Sequence, residues 1–240
     1  MPQPSQVAVV TGAGSGVGRA VVQRFVAEGW SVALVGRRPD ALDESITLAG
    51  PDASARCARF ACDVSNAAAV DAMAAAVLDR FGRVDVLVNS AGTNVRQRNF
   101  RDVSHEDWHT VLATNLHSAF YCVRAFLPGM RARGAGTVIN INSDVGRLAR
   151  DLAGVAYVTS KFGLAGLTQS LNAEERANGI RACSIFPRDI NTPLLDKRPQ
   201  PPSADARMRM LQPDDVAACV WLAASLPPRA IVEELSVYSR

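Results

Sequence analysis

Tyr157 and Lys161 stand four residues apart in a segment with helical spacing of its apolar residues, so the two side chains share one helix face. A free phenol has a pKa of about 10 and is a poor base near neutrality. An ammonium beside it favours the phenolate and brings the group into working range for proton exchange. Lysine suits that task as a compact cation with three donors. Lys161 and Lys197 are the only lysines in a chain that otherwise uses arginine. Taken alone, the pair is better read as a packed tyrosine beside a solvated lysine.

A second group lies near the start. Thr11-Gly12-Ala13-Gly14-Ser15-Gly16-Val17-Gly18 follows a short apolar run and opens into a helical pattern. Glycines let a backbone turn approach a pyrophosphate closely, and a helix N-terminus supplies free N–H groups and positive potential. This strand–turn–helix context is what a dinucleotide-binding turn requires. The spacing departs from G-x-G-x-x-G and fits T-G-x-x-x-G-x-G. At the end of the next apolar run an acidic residue would hold the ribose hydroxyls of NAD. The chain has Gly36, Arg37 and Arg38 there, and Asp40 comes too late. The planar fork of arginine suits a 2′-phosphate, which favours NADP(H) over NAD(H) against the reading that one of these arginines is merely solvated.

Elements able to position these groups alternate along the chain. Strand-length apolar runs are expected at 7–10, 31–35, 59–62, 84–88, 137–141, 180–186 and 231–237. Helices are expected at 17–28, 39–48, 67–80, 106–126, 155–177 and 213–224, the fourth capped by Ser104 and disturbed at its end by Pro128 and Gly129. Such alternation implies one α/β domain over residues 1–240, a doubly wound parallel sheet of about seven strands with helices on both faces. Ligands of such sheets bind beyond the carboxyl ends of the strands. The proline- and charge-rich segment 189–210 reads as a substrate lid.

Composition narrows the partners. A net charge of +3 is too small and dispersed for a nucleic-acid footprint. No apolar stretch reaches membrane-spanning length, and Met1 to Gln6 carry no basic region followed by an apolar run, so a cytoplasmic protein is expected. Five cysteines without CxxC spacing read as reduced thiols. His105, His109 and His117 lack the companions of a persuasive metal site, and no metal is expected. Arg96, Arg98, Arg147 and Arg150 follow the fourth and fifth strands and, with Arg188, would attract an anionic substrate; Asp144 opposes that, and arginine is abundant everywhere.

With T-G-x-x-x-G-x-G, Asn89-Ser90-Ala91-Gly92, Asn115, Ser143 and Tyr157-x-x-x-Lys161 in order, nearly the whole chain resembles the compact single-domain branch of the short-chain dehydrogenase/reductase family. The resemblance implies a Rossmann-type sheet and an NADP(H)-dependent oxidoreductase that interconverts a carbonyl and an alcohol on a small substrate. It implies a tetrad: Ser143 hydrogen-bonds the substrate oxygen, Tyr157 exchanges the proton, Lys161 binds the nicotinamide ribose and lowers the Tyr157 pKa, and Asn115 holds a water linking Lys161 to solvent. Gly12, Gly14, Ser15, Gly16, Val17 and Gly18 would meet the pyrophosphate, and Arg37 and Arg38 the 2′-phosphate. Asp63 and Val64 would contact adenine; Asn89, Ala91 and Gly92 would line the cleft; Pro187, Ile190 and Thr192 would lie by the nicotinamide. A homodimer or homotetramer through the helices holding Asn115 and Tyr157 is implied as well.

Three departures stand out. Ser90 replaces an asparagine, the chain ends at Tyr238-Ser239-Arg240 without the usual glycine-rich tail, and Arg188 replaces a glycine after the sixth strand. Arg188 either clashes with a cofactor, points outward or reaches a phosphate. The first outcome would favour an alternative, a regulator that binds NADP(H) with little turnover.

Overall fold

An apolar run of five residues with no charged side chain is stable only where both faces of its strand are covered. Val7–Thr11 (β1) is such a run, buried throughout. The computed structural model describes residues 6–240, and in it β1 is joined by Ser31–Gly36 (β2), Cys57–Ala61 (β3), Val86–Asn89 (β4), Gly136–Ile141 (β5), Ile180–Pro187 (β6) and Glu234–Val237 (β7). The expectation of no leader rests largely on residues 1–5, which lie outside the described residues. All the strand pairs are parallel, in the order β3-β2-β1-β4-β5-β6-β7. The chain therefore winds outward from β1 to β3, returns beside β1 with β4, and winds out the other way. That reversal opens a crevice at the carboxyl ends of β1 and β4.

Strand periodicity divides the core. Ala8, Val10, Val32, Leu34, Ile139 and Ile185 face helices Gly16–Ala27 (α1) and Pro213–Ser225 (numbered α9 below), with Phe25, Trp30 and Trp221 meeting edge to face. Val9, Ala33, Leu87 and Val138 face the opposite layer, where Met73, Val77, Phe126 and Leu171 pack. The sequence's lone charge in the fourth run, Asp85, accepts a hydrogen bond from the Val7 amide at 2.9 Å and pairs with Arg83.

Between β2 and β4 come Pro39–Leu48 (α2), a single turn Ala53–Arg56 (α3) and Ala67–Phe81 (α4). The expected helix at 106–126 is three segments: His105–Leu112 (α5), a π-helical turn Ala113–His117, and Ser118–Arg133 (α6). Pro128 lies inside α6 rather than ending it. The loss of one backbone donor there is outweighed by burial of Phe126 and Met130 on either side, and the helix stops where Gly134 adopts φ +64°. Val155–Glu175 (α7) precedes β6. The segment expected as a lid contains a 3₁₀ turn Pro193–Lys197 and a short helix Ala204–Met208 (α8) before α9. β3 begins two residues earlier than expected and β7 three later, both at edges of the sheet. No helix among the described residues is long and apolar enough to cross a membrane.

Candidate active site

The glycine turn between β1 and α1 is shaped by close approach. Gly12 has φ +66°, and a Cβ there would lie 2.9 Å from the Ser90 carbonyl oxygen; a Cβ on Gly18 would lie 2.3 Å from the Gly12 oxygen. Thr11 Oγ1 accepts from the Ser90 and Ala91 amides at 3.0 and 3.1 Å, tying the turn to the loop after β4. Ser45 Oγ donates to the Ala13 carbonyl at 2.8 Å, and Arg19 reaches the Gly14 carbonyl at 2.7 Å. With the turn so braced, Ser15 caps α1 without spending its side chain on a cap bond.

A cleft of about 330 Å³ runs from this turn across the carboxyl ends of the strands, within the size range of small-molecule and cofactor sites. Gly12, Gly14, Ser15, Gly16, Val17, Gly18, Arg37, Arg38, Asp63, Val64, Ala91, Gly92, Ile190 and Thr192 all line it, with Tyr157 and Lys161 at its far end. Neither Arg37 nor Arg38 has an ion-pair partner among the described residues. The Asp63 carboxylate is held low chiefly by the Ser65 hydroxyl, at 2.7 Å, with Arg37 contributing. Asn89 lies behind the wall instead: its buried amide donates to Asn140 Oδ1 at 2.8 Å. A glycine cradle, a helix N-terminus and two unpaired guanidiniums fit a nicotinamide dinucleotide.

Lys161 is buried, and its ammonium donates to the Ile141 carbonyl at 2.8 Å. Burial brings its pKa down to about 8. Its Nζ lies 5.6 Å from the centre of the Tyr157 ring. The expectation that Lys161 lowers the Tyr157 pKa is corrected: burial pushes the phenol up to about 12, the Asp144 carboxylate adds to this, and the groups that oppose it are the neighbouring Ser143 hydroxyl, Arg198 and Arg98. Asn115 sits in the π turn, where the added residue turns it inward. Its Oδ1 accepts from the Thr93 amide at 2.7 Å, and its Nδ2 donates to the Thr93 carbonyl and Ser160 Oγ at 3.0 and 3.1 Å. These bonds use the side chain to fasten the loop after β4 to α7.

Tyr157 also lines a second, smaller cavity of about 110 Å³, together with Ser143, Pro187 and Arg188. Arg188 therefore sits beside the second cavity and not in the dinucleotide-shaped cleft, while its amide bonds the Val237 carbonyl at 3.0 Å. Arg98 and Arg150 line the cavity too, but Arg96 and Arg147 do not. The expectation for Arg147 is corrected: it stacks 4.1 Å over Phe186 and pairs with Glu234, drawn to the β7 edge by a carboxylate and a ring face. Arg96 is exposed outside both cavities.

Thr93, Lys197 and Arg198, which build this region together with the expected Arg98, had no motif to mark them. Thr93 joins Asn115 to Lys197, whose ammonium donates to Thr93 Oγ1 at 2.7 Å. Arg98 donates to the Lys197 carbonyl, and Arg198 pairs with Asp189. The rarity of lysine was the one available pointer to Lys197.

Comparison with known proteins follows the same lines. The short chain dehydrogenase family model matches residues 6–202. D-threitol dehydrogenase of Mycolicibacterium smegmatis is 36% identical over 226 residues, 92% of this chain and 86% of that protein. An alcohol dehydrogenase from the archaeon Thermococcus sibiricus, complexed with 5-hydroxy-NADP, superposes with a TM-score of 0.87 at 29% identity, covering 98% of this chain and 97% of that one. A 3-ketoacyl-(acyl-carrier-protein) reductase from Brucella melitensis, complexed with NADH, gives 0.86 at 28% identity over 97% and 96%. Glycine turn, strand order and full-length likeness agree: the chain belongs to the short-chain dehydrogenase/reductase family of oxidoreductases.

Proposed function

We propose that this protein is an NADP(H)-dependent oxidoreductase that interconverts a carbonyl and an alcohol on a small substrate, with Tyr157 as proton donor and acceptor. The observation that carries the reading is that Tyr157 lines both the dinucleotide-shaped cleft and the small cavity, so that one phenol borders both. Similar structures hold both NADP- and NADH-type ligands. The preference for NADP(H) therefore rests on Arg37 and Arg38, unpaired at the end of β2 where a carboxylate would stand for NAD.

A bound nicotinamide supplies or takes up the hydride. The protein's part is position and proton transfer. Ser143 would turn its hydroxyl from Asp144 to the substrate oxygen, and Tyr157, neutral near pH 7, would donate its proton to that oxygen in reduction. Lys161, with one N–H on the Ile141 carbonyl, keeps donors that would hold the nicotinamide ribose, and its charge would stabilise the phenolate that forms. Asn115 keeps the loop after β4 in place, and its expected role in a water relay stands as part of this proposal. Asp63 and Val64 would flank adenine, and Ile190 and Thr192 would meet the nicotinamide end. Pro187, lining the small cavity, and Asn89, behind the cleft wall, would act by supporting these contacts.

Residues 189–210 act as the lid of one domain spanning 1–240, latched through Lys197 on Thr93 and Arg98 on the Lys197 carbonyl. α6 and α7 expose Phe120 and Phe162 and are the faces through which a cytoplasmic homodimer or homotetramer would form. The binding-only alternative loses its motive, because Arg188 does not obstruct the cleft. The test is NADPH oxidation against a panel of small aldehydes, ketones and keto acids: turnover supports the reading, and none on any member with NADPH tightly bound would favour the binding-only alternative.

A further inference from the structure

The small cavity beside Ser143 and Tyr157 carries more positive charge than its own carboxylates balance. Four arginines line it, Arg98, Arg150, Arg188 and Arg198, against one acid, Asp189, with Asp144 outside the lining and next to Ser143 in the chain. Each acid is already matched, Asp144 by Arg150 at 2.9 Å and Asp189 by Arg198. Arg98 and Arg188 are left with no carboxylate partner among the described residues. Arg188 is exposed and pays little for that, but Arg98 is only 6% exposed. Its two terminal nitrogens donate to the Leu152 and Lys197 carbonyls, and its Nε is buried with no partner at all. Arg150 Nε is orphaned in the same way.

An uncompensated buried guanidinium is unfavourable, and an N–H left without an acceptor adds to the cost. The surrounding chain nonetheless makes room for it. Gly154, at φ +80°, is the position where a Cβ would fall 2.5 Å from the Arg98 Cβ, so a glycine there lets Arg98 pack into the wall. A residue built in with a charge and a donor to spare is expected where an anion arrives from outside.

Resting on the oxidoreductase reading above, we propose that the substrate is a small anionic carbonyl or hydroxy compound, a carboxylate in the first instance, whose charged end is held by Arg98 with Arg188 at the mouth while its reacting oxygen meets Ser143 and Tyr157. The cavity of about 110 Å³ limits it to a compound of a few carbons, well under the roughly 300–1,000 Å³ of sites for larger ligands. Arg96 and Arg147, outside the cavity, take no part.

The test compares short keto acids with their methyl esters in wild type and Arg98→Gln. Wild type should prefer the acid, and in Arg98→Gln the acid-to-ester ratio of kcat/KM should fall about 100-fold, mainly through KM. Equal use of acids and esters by wild type, or an equal loss on both in the variant, would overturn the inference and reduce Arg98 to a clamp on the lid carbonyls. Binding separates this from the redox reading. Butyrate, titrated calorimetrically into protein with NADP⁺ present, should bind while butyramide does not, and Arg98→Gln should abolish the difference. Butyrate binding by a protein that reduces nothing would sustain the anion site and sink the oxidoreductase reading. No butyrate binding by a protein that reduces neutral ketones would do the reverse.

Discussion

The hydroxyl of Ser143 donates to Asp144 Oδ1 at 3.1 Å, so the group expected to hold a substrate oxygen is itself held by the next residue's carboxylate. Arg150 holds the same oxygen at 2.9 Å. A chain of contacts thus runs from Arg150 through Asp144 and Ser143 to Tyr157, and the charge on Asp144 acts at both of its ends.

That carboxylate raises the Tyr157 pKa. Replacing it with an amide removes the negative charge and lowers the pKa, which makes the phenolate available at lower pH. Asp144→Asn should therefore move the acidic limb of the kcat/KM profile for alcohol oxidation to lower pH. An unmoved limb, measured with the same alcohol and cofactor, would mean that Tyr157 is not the group titrating.

Lys161 gives a stability prediction. Its folded pKa of about 8 lies below the ordinary lysine value of 10.5. Between those values the unfolded chain binds the extra proton, so the lysine's contribution rises with pH through that window and its penalty is full below pH 8. Lys161→Met removes both. The variant's stability relative to wild type should fall by about 2 kcal/mol between pH 7 and pH 9.5, measured by urea unfolding at each pH. A constant difference would show that burial does not perturb this ammonium.

Arg37 and Arg38 should decide the cofactor. Changing both to alanine should weaken NADPH binding about 100-fold and leave NADH within about threefold, followed by cofactor fluorescence. Equal effects on the two would assign these arginines to the shared pyrophosphate or to solvent.

Much of this arrangement is legible in the sequence because its parts are local. The glycine turn, Tyr157 four residues before Lys161, and the strand runs each depend on neighbours close in the chain. What escapes is non-local or turns on one residue. A single added residue makes the π turn at Asn115, too small a shift to break the apolar period of a long helix. Pro128 reads as a stop, and the burial of Phe126 and Met130 overrides it. Arg98 is legible as one of the arginines after the fourth and fifth strands, but nothing in the sequence separates it from Arg96 and Arg147, which lie outside the cavity. Its partner, the Lys197 carbonyl, is 99 residues away, and its orphaned Nε exists only once the lid and the loop after β4 have closed around it.

The most direct test of the central claim is Tyr157→Phe, which keeps the ring and deletes the hydroxyl. NADPH affinity should stay within about threefold of wild type, while turnover on the best substrate of the panel falls about 1,000-fold. A variant that binds NADPH normally and still turns over at near the wild-type rate would contradict Tyr157 as the proton donor.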